Sequence, residues 1–162
     1  KQGFEVELLT VSKSGAVDVD SILNRIRPDT LVVSVMHANN ETGVIQPVVE
    51  LGKRLRQFDA FFHVDAAQTF GKLNADFLDL DADLVSISSH KVYGPQGIGA
   101  LVVKKTNGQR LPIHSIQFGG GQERGLRPGT LQRDVAAGRD VASARSGQGR
   151  RPWTLQRVQA VV

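Results

Sequence analysis

Three short apolar runs, each ending in a polar cluster, constrain this chain more than any other feature. Residues 31–37 (LVVSVMH) run into Ala38, Asn39, Asn40, Glu41, Thr42 and Gly43. Residues 61–64 (FFHV) run into Asp65, Ala66, Ala67 and Gln68. Residues 84–87 (LVSI) run into Ser88, Ser89, His90 and Lys91. Runs this short and this rich in β-branched residues read as buried strands. Between the first two, Pro47 opens PVVELGKRLRQF. Pro suits a first helical turn, and Val48, Leu51 and Leu55 recur at helical spacing with Lys53, Arg54 and Arg56 on the other side. Residues 19–26 read as a short helix with Asp18 as N-cap, and residues 99–103 as a fourth strand. Strand, helix, strand with apolar strands predicts an α/β fold, a mostly parallel sheet with helices on both faces. Ligands bind such sheets beyond the carboxyl ends of the strands, where the three polar clusters fall.

With 40% hydrophobic and 22% charged residues, the 162-residue chain reads as a globular domain with a sizeable core. No stretch approaches the ~20 apolar residues of a membrane span, so no membrane partner is expected. The start, Lys1 to Glu5, lacks a signal-peptide pattern and an initiator methionine, so the chain is expected to begin inside a longer protein. There is no cysteine, which excludes disulfides, thiolate metal sites and a cysteine nucleophile within these residues and fits a cytoplasmic setting. The net charge of +4 invites a nucleic-acid reading. Its distribution argues against one. Arg133, Arg139, Arg145, Arg150, Arg151 and Arg157, set against Asp134 and Asp140, account for the whole excess, and residues 1–130 balance.

Lys91 is either a surface lysine after a strand or the amine of a carbonyl cofactor's Schiff base. Its neighbours favour the second. Ser88, Ser89 and His90 offer donors for a phosphate, and GPQGIG lets the backbone turn closely past a ligand. Asp65 is either an N-cap for the segment starting at Ala66 or a carboxylate partner for a buried cation. The protonated ring nitrogen of pyridoxal phosphate is such a cation. Gln68 could then bond the ring's phenolic oxygen. Asn39 and Asn40 fit a turn completed by Gly43. Residues 119–130 (GGGQERGLRPGT) are a flexible loop or a phosphate- or carboxylate-binding one, with Arg124, Arg127 and Thr130.

The segments MHANNETGVIQPV, HVDAAQTFGKL, SISSHKVYGPQGIGALVV and GGGQERGLRPGT resemble, in order, signature segments of the cysteine desulfurases, within the class V, fold-type I aminotransferase superfamily. The likeness covers residues 1–130 and is strongest to the group serving iron–sulfur cluster assembly. It implies part of the large domain of a fold-type I transferase dependent on pyridoxal 5'-phosphate. Lys91 would carry the cofactor, Asp65 pair with its pyridine nitrogen, and Gln68 with its phenolic oxygen. Asn40 would contact the ring, while Ser88, His90 and the backbone near Ser89 hold the phosphate. Thr130 would reach the other subunit's cofactor across a homodimer. The implied reaction takes L-cysteine to L-alanine, leaving a persulfide on an enzyme cysteine for a sulfur acceptor such as an iron–sulfur scaffold protein. In a eukaryote the implied setting is mitochondrial. Other class V enzymes, such as a selenocysteine lyase, share the pattern.

Three departures accompany the likeness. The persulfide-forming cysteine is missing, and the chain is expected to end before the family's cysteine loop. The family's N-terminal portion, with a phosphate-binding turn and a ring-stacking side chain, is also missing. Residues 131–162 form a divergent tail with six Arg and neither Lys nor Glu. This tail is read as an out-of-frame segment, an unusual family helix, or an arginine-rich arm for nucleic acid. These departures also leave open an inactive fragment or a regulatory dimer partner.

Overall fold

The computed structural model describes residues 3–73, 77, 79–106, 109–129 and 153–158. Helix α1 spans Val19–Leu23, and its predicted cap is present: the Asp18 carboxylate accepts the Ser21 N–H at 3.1 Å. It ends three residues earlier than predicted. Arg25 and Ile26 donate to the carbonyls of Ile22 and Leu23 in tighter turns, as the chain approaches Pro28, before which helical backbone is disfavoured. Strand β1 is Val32–Met36, and helix α2 is Val48–Leu55 with Pro47 at its N-cap. Helix α2 buries Val48, Leu51, Gly52 and Leu55. Glu50 in its first turn and Lys53 and Arg54 in its last suit the helix dipole. Arg54 also reaches Asp20 of α1 at 2.5 Å.

Strand β2 is Phe61–Asp65, β3 is Leu84–Ser88, β4 is Gly99–Thr106, β5 is Gln109–Arg110 and β6 is Trp153–Val158. The order across the sheet is β1-β2-β3-β4-β5, with β6 also on β4. The pairs β1–β2 and β2–β3 are parallel, as predicted. Strand β4 turns back antiparallel to β3, from Leu84 opposite Val103 to Ser88 opposite Gly99. The connection is too short for the dozen or more residues of a parallel crossover. Strands β5 and β6 are antiparallel to β4, and β6 lies within the divergent tail, where no strand was predicted.

Alternation along the strands sorts the residues by face. Val33, Val35, Phe62, Val64, Val85 and Ile87 join the helical residues Ile22, Leu51 and Leu55 in one core, so α1 and α2 cover the same face. The opposite face carries Ser34, His63, Asp65 and Ser86, with Val32 and Met36 47% and 41% exposed. Asp83 pins the start of β3 to β2: its carboxylate accepts the Phe62 N–H at 2.9 Å and its own N–H donates to the Phe62 carbonyl at 2.8 Å. Among the described residues, no helix is long and apolar enough to cross a membrane.

Candidate active site

The three predicted loops leave β1, β2 and β3 at their carboxyl ends, on one edge of the parallel part of the sheet. Backbone bonds hold these ends together. The His37 N–H donates to the Asp65 carbonyl at 2.8 Å, and the Ala66 N–H to the Ser86 carbonyl at 2.9 Å.

In the first loop Asn39 does the turn chemistry. Its side-chain oxygen accepts the N–H groups of Glu41 and Thr42, both at 2.9 Å, and its backbone exchanges bonds with Gly43 and Val44. Gly43 sits at φ 72°, which glycine adopts without penalty. Asn40 is exposed within this turn. His37 is buried at its base, with Nδ1 2.9 Å from the Thr69 hydroxyl of the second loop. Burial lowers the His37 pKa.

Asp65 ends β2 rather than following it. One carboxylate oxygen accepts the Ala67 N–H at 2.9 Å, so the capping role is present. That bond occupies only one of the two oxygens. Gln68 is half-buried in the same loop, which winds on through bonds from Thr69 and Phe70 to the Ala66 carbonyl. Gly71 then packs beside the third loop: at φ 74°, a Cβ there would lie 3.3 Å from Val92 Cγ1.

The third loop starts with the tight turn Ser89–Val92 and closes at Ile98. The Ser89 N–H donates to the Ile98 carbonyl and the Gly94 N–H to the Ser89 carbonyl, both at 3.0 Å. Ser89 therefore spends its own N–H on closing the loop. Gly94 packs closely on Ser89: a Cβ there would lie 2.0 Å from Ser89 Oγ, which must rotate away, and 3.1 Å from the Ser89 carbonyl oxygen. The Ser88 hydroxyl and His90 Nδ1 lie 2.9 Å apart, forming a hydroxyl–imidazole pair with His90 exposed. Lys91 follows, half-buried, in that turn. Asp65 and Ser86 are opposite one another in the register, so Asp65 and the Ser88–Lys91 turn lie on adjacent strand ends.

Residues 119–129 fold back on themselves. The Arg127 guanidinium donates to the Pro128 carbonyl, and the Gly129 N–H donates to the Gln122 side chain at 3.4 Å. Thr130 lies outside the described residues. Sequence reasoning overlooked His63, whose ring joins Ser34 and Ser86 on the open face. The available signal was its place two residues before Asp65, on the same face of a strand.

A carboxylate, a hydroxyl–imidazole pair and a lysine thus stand at the carboxyl ends of neighbouring parallel strands of an α/β domain, the edge at which such sheets take their ligands. The chain belongs to the aminotransferase class-V family, which residues 1–133 match. The mitochondrial cysteine desulfurase of Saccharomyces cerevisiae is 50% identical over 138 residues, or 85% of this chain and 27% of that protein. The cysteine desulfurase of Homo sapiens is 45% identical over 141 residues, or 87% of this chain and 30% of that one. The chain thus spans less than a third of the length of these relatives. Among solved structures, DndA from Streptomyces lividans superposes with a TM-score of 0.78 at 50% identity, over 88% of this chain and 40% of its own. SspA, solved in complex with cysteine, gives 0.76 at 42% identity, over 88% and 41%.

Proposed function

We propose that this chain holds pyridoxal 5'-phosphate and forms the cofactor-binding part of a cysteine desulfurase. The observation that carries the proposal is the register of β2 and β3, which sets Asp65 beside the strand end bearing Ser88, His90 and Lys91. The residues fit the cofactor. Ser88 and His90 would meet its phosphate, Asp65 its ring nitrogen, Gln68 its phenolic oxygen, and Asn40 its ring. Lys91 would bind its carbonyl carbon, and Thr130 would reach the phosphate of a second subunit's cofactor in a homodimer. When bound, the cofactor supplies a carbonyl electrophile and a protonated ring that acts as an electron sink. The proposed substrate is L-cysteine. The proposed sulfur acceptor is an iron–sulfur scaffold protein, in the cytoplasm or, as several relatives' names have it, the mitochondrion.

The chain itself has no cysteine to receive sulfur. That observation favours a second reading, in which these residues alone bind cofactor without desulfurating, as an inactive fragment or a regulatory dimer partner. Mixing the chain with pyridoxal phosphate tests the binding role. The expected result is a visible absorption band that free cofactor lacks, absent in Lys91→Ala, and a cofactor adduct on the Lys91 peptide after borohydride reduction. An adduct spread over surface lysines, unchanged in Lys91→Ala, would overturn the proposal. Release of alanine from L-cysteine by the chain alone would overturn the second reading.

A further inference from the structure

On the face of the sheet opposite the helices, one side chain from each of the three parallel strands joins a continuous chain. Ser34 Oγ on β1 lies 2.8 Å from His63 Nδ1 on β2, and His63 Nε2 lies 2.7 Å from Ser86 Oγ on β3. A neutral imidazole has one donor and one acceptor nitrogen, and the two hydroxyls serve both. The ring is thereby held in one place across the strands that carry the three loops. Asp65 lies two residues further along β2, on the same face, at about 7 Å by strand geometry. Met36 of β1 and Ser86 of β3 stand opposite Asp65, and neither is charged. Among the described residues, Asp65 is the charged group whose field acts on His63.

We propose that His63 is a positioning residue for Asp65, coupled to it through the sheet face so that a proton on His63 and a cation on Asp65 oppose each other. The proposal rests on the reading that Asp65 takes the cofactor's ring cation. Burial lowers the His63 pKa while the Asp65 charge raises it. Neutralising Asp65 removes the second effect and leaves the first. Linkage makes the coupling reciprocal: a protonated His63 must weaken the hold on any cation paired with Asp65 by the same factor. Two charges at this spacing, at an effective dielectric between those of protein surface and water, shift a titration by about one pH unit.

The test follows the ring protons of the chain's four histidines by NMR as pH is varied, with His63 assigned by its loss in His63→Gln. Asp65→Asn keeps an acceptor for the Ala67 N–H and removes the charge. The expected result is a His63 midpoint lower by about one unit in Asp65→Asn, with no cofactor present. Saturating pyridoxal phosphate should lower it similarly in the unmodified chain. Retention of the cofactor should then fall about tenfold more across the His63 midpoint in the unmodified chain than in His63→Gln. An unmoved midpoint in Asp65→Asn overturns the proposal whatever the cofactor does. So does a midpoint unmoved by pyridoxal phosphate when the absorption band has formed. A midpoint that moves in Asp65→Asn, with no band in any variant, supports the coupling and counts against the cofactor-binding function instead. A hydroxyl–imidazole–hydroxyl link of purely structural value would destabilise the fold when broken and leave the His63 midpoint independent of Asp65.

Discussion

Replacing Gly52 by alanine sets two effects of comparable size against each other. In a solvated helix interior, Gly→Ala stabilises by about 1 kcal/mol because the unfolded chain has less freedom to lose. Gly52 is not solvated. Helix α2 rests there on the segment leading into β3, and a Cβ would lie 2.6 Å from the Leu80 carbonyl oxygen, 3.1 Å from Asp81 Cβ and 3.3 Å from Phe62 Cε1. Ordinary contact begins at 3.4 Å, so the helix must lift by about 0.8 Å. The neighbour is backbone, which cannot swing aside as a side chain does. Lifting α2 opens gaps beneath Val48, Leu51 and Leu55, and overpacking of this kind costs about 1–3 kcal/mol. The net expectation is a loss of about 1 kcal/mol, moving the urea midpoint down by about 0.5 M. Urea unfolding of the dilute chain, followed by far-UV circular dichroism, measures it, with exposed Lys53→Ala as the near-neutral control on the same helix. A midpoint raised by Gly52→Ala would refute the reasoning, because helix propensity would then have won and α2 could not be seated as described.

Acidification should destabilise the chain in two stages. His37 and His63 have lowered pKa values in the fold, so their stabilisation is complete above the ordinary histidine value of about 6.5 and declines below it until the folded values are reached. Denaturant midpoints measured across this range should fall, and fall less in His63→Gln. For Asp81, desolvation raises the carboxyl pKa, but bonds from Arg56 and Lys104 outweigh it and the net shift is downward; its contribution is present above 3.8 and lost as pH drops below. Gly94→Ala should weaken cofactor retention modestly by turning the Ser89 hydroxyl to another rotamer and crowding the Ser89 carbonyl, and adding Ser89→Ala should restore part of it, read as recovery of the absorption band. Exposed Phe4, Leu8, Ile116 and Phe118 should make the isolated chain associate as concentration rises. Light scattering from a monodisperse monomer at every concentration would contradict that expectation.

Much of the site was legible from residues close in sequence. The short apolar runs specify strands through their brevity and β-branched content, α2 is visible in the spacing of Val48, Leu51 and Leu55, and the Asp18 cap sits where a side-chain oxygen can reach an N–H three residues on. The three polar clusters mark strand ends because a buried strand cannot tolerate them in its middle. These signals are local, with a period or a reach of a few residues, so the amino-acid order alone determines them. The direction of β4, the pairing of β6 with it, and the burial of His37 against Thr69 were decided elsewhere. So was the Ser34–His63–Ser86 chain, whose members stand 29 and 23 residues apart. Each depends on which strands become neighbours and in what register. Register is a cooperative outcome of core packing over the whole sheet, and a shift of one residue would have turned His63 and Asp65 into the core and Phe62 and Val64 out to the open face.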